Sequence, residues 1–323
     1  MNPFQQPTII VLLLAAFLDY LIGDPKNWLH PVQVMGWVIN KVTNKIICRY
    51  EGKNARRLGG IFLGASLTIS SALITWLLVL GAESINYYFS ICLQIILLAS
   101  CFAGKSLRRA VGEVLEPLQE KNLATARTTL SYYVGRDTQD LGGEEISRAL
   151  LETVAENTPD GVTATLFYAL WGAFLSIGPV PLAFAYKAIS TLDSMVGYRR
   201  EPYTHIGWFS ARCEDYLTWL PCRLTVLTLA LISGKPRETL RICLRDAPKD
   251  PSPNSGWSES AYAAILGVQL GGVNTYKGVV REKPLLGDPI NAITPEAIEK
   301  ALQLTRYCFL LWLILGVLIM TSH

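Results

Sequence analysis

The chain has 323 residues, of which 50% are hydrophobic and only 17% charged, well under the roughly 25% charged residues usual in soluble domains. The missing charge is concentrated in long blocks that contain none, which is membrane-protein composition. A formal net charge of +3, with no basic stripe interleaved with aromatics, excludes a nucleic-acid partner.

The first apolar run, residues 8–22, carries one acid, Asp19. No Lys or Arg precedes it and no small-residue cleavage pattern follows, so it reads as a retained membrane segment and not a secretory signal. Residues 58–82 and 84–103 predict a membrane hairpin with a tight turn at Gly81–Ser84, and residues 307–320 predict a last short span. Two further apolar stretches, 162–186 and 217–233, are interrupted by Gly178-Pro179-Val180-Pro181 and by Pro221. They read as broken or re-entrant segments, because irregular backbone at membrane depth needs protein or water around it. Lys and Arg number seven in 23–57, seven in 104–161 and nine in 234–304. That bias puts these loops on the cytoplasmic side of the cell membrane. The seven cysteines have no paired spacing, and Cys92, Cys101 and Cys308 read as small buried hydrophobes.

The loops read as folded. Leu107, Val111, Val114, Leu115 and Leu118 recur at helical spacing over 104–131. Residues 144–157 predict an amphipathic helix with Ile146, Leu150, Thr153 and Val154 on one side. Glu145, Arg148, Glu152 and Glu156 fall on the opposite, exposed side. No strand alternation long enough to build a sheet stands out. The expected architecture is all-α: one membrane-embedded catalytic domain over 1–323, with four to six membrane segments and large helical loops.

Several polar clusters abut this apolar framework. Glu152 and Glu156 are four residues apart and followed at once by Asn157 and Asp160. Two carboxylates on one helix face suit a hard cation such as Mg2+, although a charged helix face is more often only solvated. Carboxylates at the lip of an apolar segment are expensive unless used or neutralised. Residues 187–203 gather Lys187, Ser190, Thr191, Asp193 and Ser194, which suits Mg2+–nucleotide binding or, equally, a helix cap. The proline-rich stretch 245–272 places Ser252, Asn254, Ser255 and Gly256 ahead of a helix expected to end at Gly271-Gly272. Free N–H groups there suit an anion. Arg136 and Asp137 stand in GRDTQD, Arg212, Glu214 and Asp215 in SARCEDY, and His30 between apolar neighbours. There is no G-x-G-x-x-G, and ASCFAGKS (99–106) lacks the first glycine of a P-loop and ends an apolar helix.

Taken together and in order, LIGDP with HPV (21–32), VGRDT (134–138), RALLETVAENTPDGV (148–162), KAISTLDSMVGY (187–198), SARCEDY with LPCRLT (210–225) and DPSPNSGWSESAYAAILGVQLGG (250–272) resemble one family. That family is the membrane-bound adenosylcobinamide-phosphate synthases of cobalamin biosynthesis. The resemblance covers nearly the whole chain, with small departures at Thr165, Glu214 and Cys222. It implies an ATP-dependent ligase that joins adenosylcobyric acid, a corrinoid, to (R)-1-amino-2-propanol O-phosphate or a related amino-alcohol phosphate. The partners implied are these substrates, the lipid bilayer and other membrane enzymes of late cobalamin assembly. ATP and Mg2+ are the cofactors implied. On this reading Glu152, Glu156 and Asp193 bind Mg2+–ATP. Arg136, Asp137, Asn157, Asp160, Lys187, Ser190, Arg212 and the loop Ser252–Gly256 bind substrate and phosphate. Asp215 or His30 takes the proton from the attacking amine. A transporter or sensor for an anionic solute is the alternative, with the two broken segments lining a path. The concentration of polar residues in the loops favours an enzyme.

Overall fold

The computed structural model describes residues 5–23, 30–198 and 200–322. The Asp24-Pro25 part of the first motif lies outside them. In chain order the elements are α1 (Gln5–Leu21), α2 (Pro31–Arg49), α3 (Lys53–Ile85), α4 (Tyr87–Ala99), α5 (Gly104–Gln119), α6 (Leu123–Leu130) and α7 (Gly143–Asn157). A π-helical turn (Thr158–Thr163) follows, then α8 (Ala164–Phe174), α9 (Pro179–Val196), α10 (Tyr203–Ile206), α11 (Trp208–Ile232) and α12 (Pro236–Asp246). A short 3-10 turn (Ala247–Lys249) leads to α13 (Ser255–Leu266), the strands β1 (Leu270–Tyr276) and β2 (Val279–Leu286), and α14 (Pro295–Ser322).

The protein is an all-α polytopic membrane protein. Among the described residues, four helical stretches are long and apolar enough to cross a bilayer: Lys53–Ile85, Tyr87–Gln119, Trp208–Ile232 and Pro295–Ser322. Their large apolar side chains point outward, with Phe62 74% and Ile69 65% exposed, as a lipid-facing surface requires. Cys92, expected to be buried, is exposed on α4.

The chain divides into two compact units. Unit 1 comprises residues 1–105, 164–218 and 311–323. Within it α9 packs against α3 and α8, and α1 packs against α4. Unit 2 comprises residues 106–163 and 219–310. Its centre is α13, buried from Ser258 to Leu266 and packed on α7 and α12. The helical spacing of Leu107, Val111, Val114 and Leu115 is matched by burial of all four on α5.

Four expectations are corrected. The break in the membrane hairpin falls at Asn86, not at Gly81–Ser84, because α3 runs on through Gly81 and Asn86 caps α4 by accepting the N–H groups of Tyr88 (2.8 Å) and Phe89 (3.1 Å). Residues 217–233 are not broken: Pro221 lies inside the continuous α11. A proline leaves the carbonyl four residues earlier without its helical donor, and here that carbonyl, Leu217 O, accepts the Tyr168 hydroxyl at 2.9 Å. Ser190 and Asp193 do not cap a helix start: the polar block Lys187–Ser194 forms the last turns of α9.

Finally, α13 ends at Leu266, with Gly267 in the left-handed conformation, and the Gly271-Gly272 pair belongs to a β-hairpin that the absence of clear alternation did not foretell. Its turn is Lys277-Gly278, with φ of 52° and 76°, the positive pair that a two-residue hairpin turn demands. Gly271 is the second residue of β1, where a Cβ would lie 2.0 Å from Pro284 O.

Candidate functional site

The polar heart of unit 2 is built by α7, α13, the loop before α7 and the hairpin. On α7, Ile146, Leu150 and Val154 are buried as predicted, but the opposite face is not simply solvated. Glu152 is only 1% exposed. Its Oε2 accepts from the Arg136 guanidinium, and its Oε1 accepts from Arg148 (3.2 Å) and from the Gly271 N–H (3.0 Å). Arg136 also donates to Asn274 Oδ1 (2.9 Å), and Arg148 donates to the carbonyls of Gly271 and Val273. Charge-assisted contacts of this kind are the strong ones. Two arginines and one glutamate thereby bind the hairpin to α7. Asp137 clamps the hairpin turn, accepting from Lys277 N (3.0 Å) and Gly278 N (2.7 Å).

One helical turn beyond Glu152, Glu156 Oε1 accepts from Lys283 Nζ at 3.2 Å. The same ammonium stands 3.6 Å from Glu259 Oε1. Burial pushes Glu156 upward, but the Lys283 ammonium outweighs it and holds this carboxylate below its ordinary range. Glu259 goes the other way: burial first, then the Glu156 carboxylate, raise it well above that range. Beyond Asn157, which caps back onto Thr153 O (2.8 Å), the chain enters the π-helical turn that carries Asp160. Such turns recur at functional sites. This one is tied down by a buried hydroxyl triangle of Thr158, Tyr262 and Thr305, with separations of 3.1, 2.9 and 2.6 Å.

The loop before α13 uses its own donors. Ser252 Oγ accepts the N–H groups of Asn254 (3.3 Å) and Ser255 (3.2 Å), and Asp250 accepts that of Ser252 (2.8 Å). Gly256 is a close approach, where a Cβ would meet Ala247 O at 2.7 Å. Arg223 donates to Pro253 O (2.9 Å) and lies over the Trp257 ring at 4.2 Å. The loop is rigid and built, as its prolines imply.

Unit 1 holds a second set of acids. Asp193, on α9, is raised to about 6 by burial and then by the Asp215 carboxylate. Glu214 is buried and accepts the Thr218 hydroxyl, and Thr218 also pairs with Tyr186 (2.8 Å). Lys187 and Ser190 lie half-buried on the same helix, and Arg212 is exposed. His30 is the N-cap of α2, with Nδ1 accepting the Val32 N–H at 3.3 Å. Of the residues singled out in the sequence, Arg136, Asp137, Glu152 and Glu156 therefore come together in unit 2, and Asp193 with Asp215 in unit 1. Among the described residues, no group of three or more His, Cys, Asp or Glu side chains is arranged to hold a metal ion.

Glu259 and Lys283 were not foreseen. Glu259 carries the same signal that drew attention to Glu152, an acid embedded in small apolar residues (SESAYAAIL). Lys283 is unreadable without the hairpin.

The fold and this cluster together define a class: an all-α polytopic membrane protein whose second unit holds a buried, ion-paired acid–base cluster. A family model, "CobD/Cbib protein", matches residues 12–305. The chain is 56% identical over 322 residues to cobalamin biosynthesis protein CobD of Synechocystis sp., covering 99% of this chain and 94% of that one. It is 42% identical over 304 residues to cobalamin biosynthesis protein CobD of Halalkalibacterium halodurans, covering 92% and 91%. It is likewise 42% identical over 302 residues to cobalamin biosynthesis protein CbiB of Salmonella paratyphi B, covering 92% of each. No solved structure matches. The chain belongs to the CobD/CbiB family, which places it among proteins of cobalamin biosynthesis.

Proposed function

We propose that this protein is an enzyme of cobalamin biosynthesis that forms an amide with ATP. It joins adenosylcobyric acid to (R)-1-amino-2-propanol O-phosphate, or a related amino-alcohol phosphate, to give adenosylcobinamide phosphate. Family membership supports the pathway. The observation that carries the chemistry is the unit 2 cluster, in which Arg136, Arg148 and Lys283 face Glu152, Glu156 and Glu259. A carboxylate is a poor acyl donor. ATP transfers its γ-phosphoryl group to a carboxylate oxygen, releasing ADP. The amine nitrogen then attacks the acyl carbon, phosphate leaves and the nitrogen gives up its proton. Such a site must hold polyanions, carry charge through the transition state and accept a proton.

The residues fit a magnesium ion that arrives with the nucleotide, since Mg2+ keeps several waters and takes one or two carboxylates plus phosphates. Glu152, with both oxygens engaged by arginines and a backbone N–H, anchors the hairpin. Glu156, partly exposed, is the carboxylate of this cluster that would hold the ion. Bound there, Mg2+ neutralises charge on the transferring phosphoryl group. Asp193 and Asp215 remain proposed as functional acids of unit 1, and Arg212 as an exposed phosphate-binding cation.

The deciding experiment is mass spectrometry of products from the purified protein with adenosylcobyric acid, ATP, Mg2+ and a series of amino-alcohol phosphates. Adenosylcobinamide phosphate formed with one ADP per amide is expected. Corrinoid returned unchanged, with no ADP, overturns the reading. We also place the large loops in the cytoplasm. Cysteines introduced at Lys53, Gln119 and Lys283 should resist an impermeant thiol reagent in intact cells, and labelling at any of them reverses the orientation.

A further inference from the structure

The two sides of α2, in unit 1, differ sharply. Met35, Ile39, Thr43 and Ile46 are buried, and the helix packs on α9 and α3. The opposite side carries Trp37, Lys41, Lys45 and Arg49, each four residues from the last, so they form one stripe along the helix. All four are exposed, Trp37 by 62%, and so is neighbouring Val34. Lys41 lies over the Trp37 ring, with Nζ 4.6 Å from the centroid. The helix contains no acid, and residues 41–57 hold six Lys or Arg against the single acid Glu51. A basic helix face that also exposes a tryptophan and a valine suits a partner that is anionic and apolar at once.

Packing against α3 fixes the depth of this stripe. α3 has 33 residues, about 50 Å of helix, for a hydrocarbon layer of about 30 Å, so part of it stands outside that layer. Its first five residues include Lys53, Arg56 and Arg57. Outward apolar side chains begin at once after them, with Leu58 66% and Phe62 74% exposed. The headgroup boundary therefore falls between Arg57 and Leu58. A Cβ at Gly59 would lie 3.1 Å from the Ile46 side chain, so α2 meets α3 at that boundary, between its own Lys45 and Arg49. Arg57 stands 3.5 Å over the Trp208 ring at the same level, the depth at which tryptophans gather. Arg56 is engaged by Tyr50 O (2.7 Å) and Glu201 (3.6 Å). No ion pair among the described residues engages Lys41, Lys45 or Arg49.

We propose that the outer face of α2 is a binding surface for anionic phospholipid headgroups. Lys41, Lys45 and Arg49 meet lipid phosphates, and Trp37 sits at the top of the acyl chains. A zwitterionic headgroup brings its own cation and offers the stripe no net charge. An anionic one supplies the opposite charge that the fold itself does not place there. The surface is continuous with the lipid-facing side of α3 at Leu58, which favours lipid over a protein partner. No residue of the unit 2 cluster takes part, so the inference holds whichever reaction the protein performs.

The deciding measurement is tryptophan quenching in the full-length protein. Nanodiscs of phosphatidylcholine receive increasing fractions of lipid brominated near the headgroup end of its chains, either phosphatidylglycerol or phosphatidylcholine. The quenching lost in Trp37→Phe, a change on an exposed face, is that of Trp37 itself. Brominated phosphatidylglycerol should reach half-quenching of Trp37 at about fivefold lower fraction than brominated phosphatidylcholine, the contribution of one Lys or Arg at an anionic surface. High salt should shrink that ratio. Lys45→Gln combined with Arg49→Gln should bring it close to one, whereas Lys45→Arg, which keeps the charge, should preserve it. Equal quenching by the two lipids in the wild-type protein overturns the inference without recourse to the charge variants. Quenching of Trp37 by neither lipid also overturns it, because water or a protein partner then covers α2.

Discussion

In unit 2, Glu152 is buried and accepts from two arginines and a backbone N–H. In unit 1, Asp193 is pressed by burial and by a neighbouring carboxylate, and is raised to about 6. Both acids sit on helices, Glu152 fully buried and Asp193 half-buried. The difference lies in what each fold brings to the carboxylate. Unit 2 contributes a hairpin that places backbone donors and Lys283 beside α7, whereas in unit 1 the Asp215 carboxylate adds to the effect of burial on Asp193. The first arrangement gives both carboxylate oxygens partners and fixes structure. The second raises the affinity of Asp193 for a proton, which it gives up as pH rises through about 6.

The largest expected effect comes from breaking the pairing in unit 2. Arg136→Met leaves Glu152 buried with fewer donors, and removing one partner of a buried ion pair costs about 3–5 kcal/mol. Thermal unfolding in lipid nanodiscs should show a much lower midpoint and loss of the hairpin. An unchanged midpoint would erase the structural distinction between the two regions.

Next in size is Glu156→Gln, which keeps the shape of the side chain but removes its charge. Single-turnover amide formation across a Mg2+ titration should fall by about 10²-fold, comparable to deleting one strong electrostatic contact in a closed site. Membrane yield should stay near wild type, because Glu156 is partly exposed. Near-normal turnover at low Mg2+ would return Glu156 to the role of a surface pair worth about 0–1 kcal/mol.

The comparison is sharpened by opposite slopes with pH. Asp246, in unit 2, is 1% exposed. Burial raises it, but Arg245, Lys249 and the Gly287 N–H hold it at about 2. A lowered folded pKa means stability present above the unfolded value and lost as pH falls through the folded one. Asp246→Asn should therefore remove about 2 kcal/mol at neutral pH and flatten the loss between about pH 4 and pH 2. Asp193, raised to about 6, has the reverse sign. It destabilises the fold progressively as pH rises from about 4 through 6, so Asp193→Asn should stabilise the protein on the order of 1 kcal/mol at pH 8. Denaturation curves of the variants against wild type from about pH 2 to pH 8 read both slopes, and parallel slopes would contradict the contrast.

The smallest effect is at the hairpin turn. Asp137→Ala removes the acceptor for two backbone N–H groups, each worth about 1 kcal/mol. Amide exchange of Lys277 and Gly278 should quicken while α13 stays protected.

The sequence by itself determined the membrane class, because uncharged runs of bilayer length have no other stable use. It determined α5 and α7 through helical spacing, and it marked Glu152, Glu156, Arg136 and the loop Ser252–Gly256 by placing polar groups against apolar segments. The resemblance of six motifs in order was legible for the same reason. Tertiary structure decided the rest. Helical periodicity put Glu152 on the polar face of α7, but only the hairpin folding back onto that face buried it and gave its oxygens partners. The hairpin was missed because its strands alternate weakly and its turn, Lys277-Gly278, lacks the usual Asn or Asp. Lys283 lies 127 residues from Glu156 along the chain, so no spacing rule joins them. Pro221 reads locally as a break, yet a hydroxyl from another helix answers the carbonyl it frees. In each case the sequence fixes which groups need a partner, and long-range packing alone supplies one.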